Sequence, residues 1–510
     1  MSLRVRPATV AASAPRAIID IGSNTVRLVI YGGPPRAPVV LHNEKVTARL
    51  GRGLAETGLI SDKAAARARA AVARYGALLR VQGMTSVDAV ATAAVRDAAN
   101  GPQLMERIRA LGLKPRLLSG EEEALASAHG VQAAFPGAHG VVADLGGGSL
   151  ELIHIDPAGC EHGASMPLGT LRLAALRSAG PAAFRATVRG HLSAAGWAGS
   201  QQQPLYLVGG SWRALARVAM QRDSWPLDDP HGYELTALSA AALVKALKSD
   251  KPATGLPAVK GPTAVKGPAA VKGPAAVKGL AGVPAGRLAA MPDAAALLEV
   301  LLQELAPTRV VFSSWGLREG VLLAGLGRSA MQEHPLLAGI ADFAAARGTP
   351  PGLARQVADW TAAAAGEPGD EPLRLAATML ALASFRAEPN RRVTEALDWA
   401  LHKRWIGASA QDRAMLAATA LANAGRTDLP PALALLAPPE RLQQAVGWGL
   451  AIRLCRKFSL CAPPVLAGSA LTRSATGLDL SVTGSLAPLL TDGVEKHRRN
   501  LAQWLGLPCP

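Results

Sequence analysis

The chain has 510 residues, and 54 Lys+Arg against 38 Asp+Glu leave a formal charge of +16. That length suits about three domains at roughly 100–200 residues each, and 49% hydrophobic residues exclude a disordered chain. Four cysteines (Cys160, Cys455, Cys461, Cys509), none in a Cys-x-x-Cys, exclude a disulfide scaffold and argue against a structural zinc site.

In chain order, Met1 to Pro15 carries Arg4 and Arg6 without the Leu/Ile/Val-rich core of a signal peptide. No apolar run anywhere reaches the roughly 18–20 residues of a membrane span. The expectation is a soluble, cytoplasmic protein with reduced thiols and no membrane partner. A pI near 10.2 points to an anionic partner.

Ala17–Tyr31 reads as a hairpin of two β-rich runs around a polar, Gly-containing turn. Val39–Leu50 reads as a third strand, and Ser61 caps a helix to about Leu79. A strand over Ser86–Ala91, a helix capped by Asn100, a short strand at Lys114–Leu118 and a helix over Gly120–Ala134 follow. The pattern then restarts. Gly140–Ile155 is again strand, glycine turn, strand; Leu205–Val218 is strand, Gly-Gly-Ser turn, helix; Arg309–Phe312 is a last strand and Trp315–Leu323 a helix. Two α/β halves, each opening with a hairpin whose turn carries Asp and Gly, imply a cleft between them. From about Met331 an Ala/Leu-rich helical pattern broken by Pro and Gly reads as an all-helical third domain. The expected domains are 15–135, 136–328 and 329–510.

Within the second domain, an insertion at 251–282 contains a six-residue AVKGPx repeat over Ala258–Gly279. It spaces Lys260, Lys266, Lys272 and Lys278 evenly, and its Pro and Gly disfavour helix and sheet. It is either a tolerated surface insertion or a positive arm for a polyanion.

Five motifs carry chemistry. In Asp20-Ile-Gly-Ser-Asn-Thr25, Gly22 lets backbone N–H groups approach a phosphate, Ser23, Asn24 and Thr25 add donors, and Asp20 is placed to face a metal. Gly-Ser-Asn also makes ordinary turns. Asp144-Leu-Gly-Gly-Gly-Ser149 puts three glycines where a hairpin needs one or two, so something must come close to the backbone. Asp144 and Glu151 flank that loop as hard oxygen ligands suited to Mg²⁺. Gly209-Gly210-Ser211 suits an anion at a helix start or a plain turn. In Ser119-Gly-Glu-Glu-Glu123 the helix dipole favours three carboxylates, at most two of which can face one cleft, and a carboxylate beside phosphate can deprotonate a water. The residues themselves do not single out which one. Arg96, at a strand end, is either a phosphate clamp or a surface arginine.

Taken in order, DIGSNTVR (20–27), ATAAVRDAAN (91–100), SGEEEA (119–124), DLGGGSLEL (144–152), VGGS (208–211) and VFSSWGLREG (311–320) resemble the exopolyphosphatase/guanosine pentaphosphatase (Ppx/GppA) family of the actin-like superfamily. The resemblance implies an α/β fold of two ribonuclease-H-like, actin-like ATPase domains flanking a cleft. It also implies an all-helical C-terminal domain similar to HD-type phosphohydrolases, and a homodimer. It implies an enzyme: Mg²⁺-dependent hydrolysis of a terminal phosphoanhydride of inorganic polyphosphate, releasing orthophosphate, or alternatively conversion of pppGpp to ppGpp. Glu123 would be the general base. Asp144, Glu151 and Asp20 would be metal residues, and Gly22, Ser23, Asn24, Arg96, Gly146, Gly147, Gly148, Ser149 and Ser211 would bind phosphates.

The chain departs from the family at Leu125, where an arginine is usual. It has no His-Asp dipeptide, so its helical domain is expected to bind no catalytic metal and to form a channel wall or dimer interface. No helix-turn-helix, RNP or zinc pattern supports a specific nucleic-acid partner.

Overall fold

The computed structural model describes residues 14–248, 283, 285–364, 370–474 and 477–508. The AVKGPx repeat and Cys509 lie outside the described residues. The chain divides into two compact units, one ending at Gln332 and the other comprising Trp225–Asp229 and the chain from Glu333.

The first unit holds two mixed sheets. In one, β1 (Arg16–Ile21), β2 (Val26–Gly32), β3 (Val39–Val46), β4 (Val87–Ala91) and β5 (Pro115–Leu117) lie in the order β3-β2-β1-β4-β5. The other contains β6 (Gly140–Leu145), β7 (Leu150–Asp156), β8 (Gly159–Met166), β9 (Leu205–Val208), β10 (Glu234–Thr236) and β11 (Arg309–Ser313), ordered β10-β11-β9-β6-β7-β8. Both are built on an antiparallel meander whose first strand pairs in parallel with a later one, β1 with β4 and β6 with β9. The duplication read from the two hairpins is therefore a duplication of topology, with β10 added to the second copy. β8 and β10 were not legible in the sequence: β8 is polar and glycine-bearing, and β10 is three residues long.

Apolar, β-branched runs bury the central strands; Ile18, Ile19, Ile21, Val141 and Val142 are all at most 2% exposed. The Asp62–Val81 helix lays Ala68, Val72, Tyr75 and Leu79 into the first sheet's core, and Ser61 caps it by accepting from the Ala64 N–H. Asn100 takes the N-cap position expected of it, but its side chain makes no cap bond. Its side chain accepts from Ile60 N–H at 2.9 Å and donates to Ile60 O at 2.8 Å, stitching two segments together.

Two helices position the site. Gly120–Ala134 and Leu317–Leu323 cross where side chains would not fit. A Cβ at Gly130 would lie 2.2 Å from Gly316 O, and one at Gly320 would lie 1.7 Å from Ala126 O. Leu125, where a family arginine is absent, packs with the Ala124, Ala128 and Val131 cluster.

The second unit is helical, as expected, and among the described residues it adds one hairpin, β12 (Ser469–Ser474) and β13 (Gly477–Val482). That hairpin joins the core: Leu471 and Leu478 are buried with residues of the helices. Small side chains let the helices pack closely. A Cβ at Gly449, in the Pro439–Ser459 helix, would sit 2.3 Å from Thr419 O of the Ala410–Asn423 helix.

Candidate active site

A cleft of about 630 Å³ in the first unit is lined by both hairpin turns, by Glu123 and by residues 209–213, 286–290 and 314–319. Its floor is where the two glycine turns meet. A Cβ on Gly147 would lie 3.1 Å from Asn24 N, and one on Gly148 would lie 2.6 Å from Ser23 Oγ. None of Gly146, Gly147 and Gly148 has a positive φ. The run of glycine therefore supplies space rather than an unusual backbone conformation, and part of what comes close is the opposite turn. The carbonyls of Gly146, Gly147 and Gly148 accept from the N–H groups of Thr170, Leu171 and Gly169. Ser23 Oγ accepts from Ala94 N–H at 3.1 Å. Among the described residues no protein acceptor meets the N–H groups of Gly147 and Gly148, and turns of this kind can cradle an anion.

The three adjacent glutamates separate by environment. Glu122 closes a capping box, its Oε2 accepting from Ser119 N–H at 2.7 Å while its own N–H donates to Ser119 Oγ. Glu121 is exposed. Glu123 is buried and lines the cleft, with Arg96 donating to its Oε2 at 2.9 Å. Arg96 also donates to Leu118 O at 3.2 Å and is not among the cleft-lining residues. Arg96, expected to bind phosphate, is bonded here to the Glu123 carboxylate.

Register places the remaining carboxylates. Asp144 on β6 lies directly opposite Glu151 on β7, and the equivalent pair in the first sheet is Asp20 opposite Arg27. Like charges directly opposed across a ladder repel. Ser127 donates to Asp144, and Ser165 donates to Glu151 at 2.8 Å. Burial raises the carboxyls of Asp20, Asp144 and Glu151 above the usual range; Glu319 adds to the rise at Asp20, Asp20 at Asp144, and Glu123 and Asp144 at Glu151. Burial lifts Glu123 to about 7, Asp144 and Asp20 add to the rise, and Arg96 opposes it.

Beside these acids stands a group of cations that the motif reading did not single out: Arg27, Lys45, Arg49, Arg213, Arg287 and Arg318. Arg27 and Arg318 lay inside quoted motifs, and Arg27 could have been found from its register with Asp20. Arg213 and Arg287 offered no such signal. Burial lowers Arg27 to about 10 and Arg213 to about 9, and neighbouring guanidinium groups push both further down. Arg287 is lowered for the same reasons. Burial works against the charge of Arg318 too, but Glu319, Asp20, Tyr31 and Asp144 outweigh it. The cleft thus carries positive charge that the protein itself leaves undercompensated, which an anion of several charges would balance.

Of the expected site residues, Gly22, Ser23, Asn24, Gly146, Gly147, Gly148, Ser149, Ser211, Asp20, Asp144, Glu151 and Glu123 all line this one cleft. Among the described residues no three His, Cys, Asp or Glu side chains close around one point. The opposed pair Asp144 and Glu151 still fits Mg²⁺, which binds through one or two carboxylates and completes its shell with phosphate oxygens and water. Asp20 fits less well, because Arg27 and Arg318 are its neighbours.

The chain is similar in sequence to exopolyphosphatases. The chain is 31% identical over 162 residues to exopolyphosphatase 1 of Mycobacterium leprae, covering 31% of this chain and 47% of the relative. It is 35% identical over 149 residues to exopolyphosphatase 2 of Mycobacterium tuberculosis, covering 27% and 47%. The chain thus spans about half the length of the curated relatives it matches. An exopolyphosphatase structure from Cytophaga hutchinsonii shares the fold, with 23% identity, a TM-score of 0.51 and coverage of 62% of this chain and 99% of that one. The Ppx/GppA phosphatase family model matches residues 29–255 of this chain, a stretch that includes the second glycine turn and Glu123.

Proposed function

We propose that the chain is an exopolyphosphatase, releasing orthophosphate from the end of inorganic polyphosphate by Mg²⁺-dependent hydrolysis. The observation that carries this reading is the arrangement of charge in the cleft. Glu123 and the opposed pair Asp144/Glu151 lie among its acids, and the undercompensated Arg27, Arg213 and Arg287 are held in the same cavity. A terminal phosphate beside the acids, with the chain following onto the arginines, satisfies both sets. The N–H groups of the glycine turn and Ser149 would hold the terminal group. Glu123, oriented by Arg96, would take the proton of the attacking water. Asp144 and Glu151 would hold Mg²⁺, which when bound neutralises charge on phosphate oxygens. Positioning and charge stabilisation do most of the work in such a transfer.

The same apparatus serves pppGpp, and that is the second reading. It needs a guanosine pocket, and among the described residues no aromatic side chain lines the cleft. A homodimer and a cytoplasmic location belong to the proposal too. Among the described residues no helix is long and apolar enough to cross a membrane.

Phosphate release from long-chain polyphosphate and from pppGpp, each with Mg²⁺ and with EDTA, tests it. Release from polyphosphate is expected to need Mg²⁺. Glu123→Gln is expected to lower kcat by about 10²–10⁴-fold with KM little changed. A variant keeping more than about a tenth of the activity removes Glu123 as the base, and release from pppGpp alone moves the assignment to that substrate.

A further inference from the structure

The second unit holds a groove of about 920 Å³ that the hydrolytic reading does not use. It lies along the Pro439–Ser459 and Asp492–Trp504 helices and the 425–429 segment. Its size is that of a small-molecule site, roughly 300–1,000 Å³.

The two ends of the groove differ. Leu442, Val446 and Leu450, spaced four apart on the first helix, form an apolar floor that runs on to Arg453. At the Leu442 end stands Trp504, whose indole Nε1 donates to Gln443 O at 3.0 Å, so the ring is held in place by the backbone. At the other end Arg453, Lys496 and His497 come together. Burial lowers the imidazole of His497, and Arg453, Lys457 and Lys496 push it further in the same direction. Among the described residues no carboxylate lines the groove. Among the described residues none of Arg453, Lys457 and Lys496 forms a salt bridge. Neighbouring acids are already engaged: Glu495 by Arg498 and Arg499, Asp428 by Arg426. Asn500 and Gln503 add amide donors and acceptors along the second helix.

We propose that this groove binds a nucleoside di- or triphosphate, with the base against Trp504 and the phosphates on Arg453 and Lys496. Eight residues of helix separate Lys496 from Trp504, about 12 Å at 1.5 Å per residue, a span that an extended nucleotide bridges. A bare polyanion would leave the apolar floor and Trp504 unused. An alkyl anion would leave the amides and two of the cations unused. A flat, hydrogen-bonding ring joined to several negative charges uses every part, and the aromatic face tolerates any base. The inference is independent of the activity proposed for the first unit.

The test is equilibrium binding of a fluorescent ATP analogue to the full chain carrying Glu123→Gln, with excess tripolyphosphate present to occupy the cleft. Saturable binding at micromolar concentrations is expected. Lys496→Glu should weaken it at least tenfold, and Trp504→Leu several-fold. Lys496 is exposed, so its variant should keep the melting temperature and, in the Glu123 background, the phosphate release of the parent. No saturation by about 1 mM, full displacement by tripolyphosphate, or unchanged affinity in Lys496→Glu would each overturn the proposal.

Discussion

Glu123 owes its character to a balance of burial and one arginine. With its carboxyl raised to about 7, the folded protein binds its proton more readily than the unfolded chain does. The stability that this proton contributes is full below about 4.5 and is lost as pH rises through about 7. Glu123→Gln removes the cost of the ionised form. It is expected to stabilise the fold by about 1–3 kcal/mol at pH 8 and to change little at pH 4, read from denaturant midpoints at both. Arg96 acts in the opposite direction on the same carboxyl. In Arg96→Ala the acid limb of kcat/KM should move to higher pH, and activity at pH 7 should fall by about tenfold. An acid limb that stays in place would mean that Glu123 is not the titrating base.

At the scale of elements, glycine decides how closely the working parts approach. The Leu317–Leu323 helix reaches the Gly120–Ala134 helix only because Gly320 has no side chain, its would-be Cβ lying against a backbone oxygen that cannot swing away. Gly320→Ala should cost about 1–3 kcal/mol of stability. It should also reduce kcat, because the helix it would push against, Gly120–Ala134, carries Glu123. Urea unfolding and steady-state kinetics on the same preparation check both, and a variant with wild-type stability would show that this crossing is looser than described. The glycines between Asp144 and Glu151 work similarly, since Gly147 and Gly148 face the Ser23–Asn24 turn across a gap too narrow for a methyl group.

For the whole molecule the dominant quantity is charge. A chain of formal charge +16 acting on a long polyanion should show kcat/KM that falls steeply with salt, because each phosphate contact releases counterions. Tripolyphosphate, touching fewer cations, should show a shallower slope. Equal slopes for the two substrates, measured between about 50 and 200 mM salt, would argue against a run of cations following the chain.

Much of this was legible in the chain itself. Alternating apolar runs around Asp-Gly turns are local signals, and they appear as β1/β2 and β6/β7; the duplicated topology follows from their repetition. Ser61 marks a helix start because a cap is a contact over three residues. What depended on distant neighbours was not legible. Three identical neighbours, Glu121, Glu122 and Glu123, became an exposed residue, a cap and a buried cleft residue only once the helix was packed. The pairing of Arg96 with Glu123, 27 residues away, appeared only in the folded chain. Arg213 and Arg287 joined the cleft through the packing of their helices, and no motif announced them. The sequence by itself determined which residue types occupy the turns and how often the pattern repeats, since those are properties of short segments. Only the tertiary structure decided which charges share one cavity and leave each other undercompensated, because burial and charge–charge distance belong to the folded chain and to no segment of it.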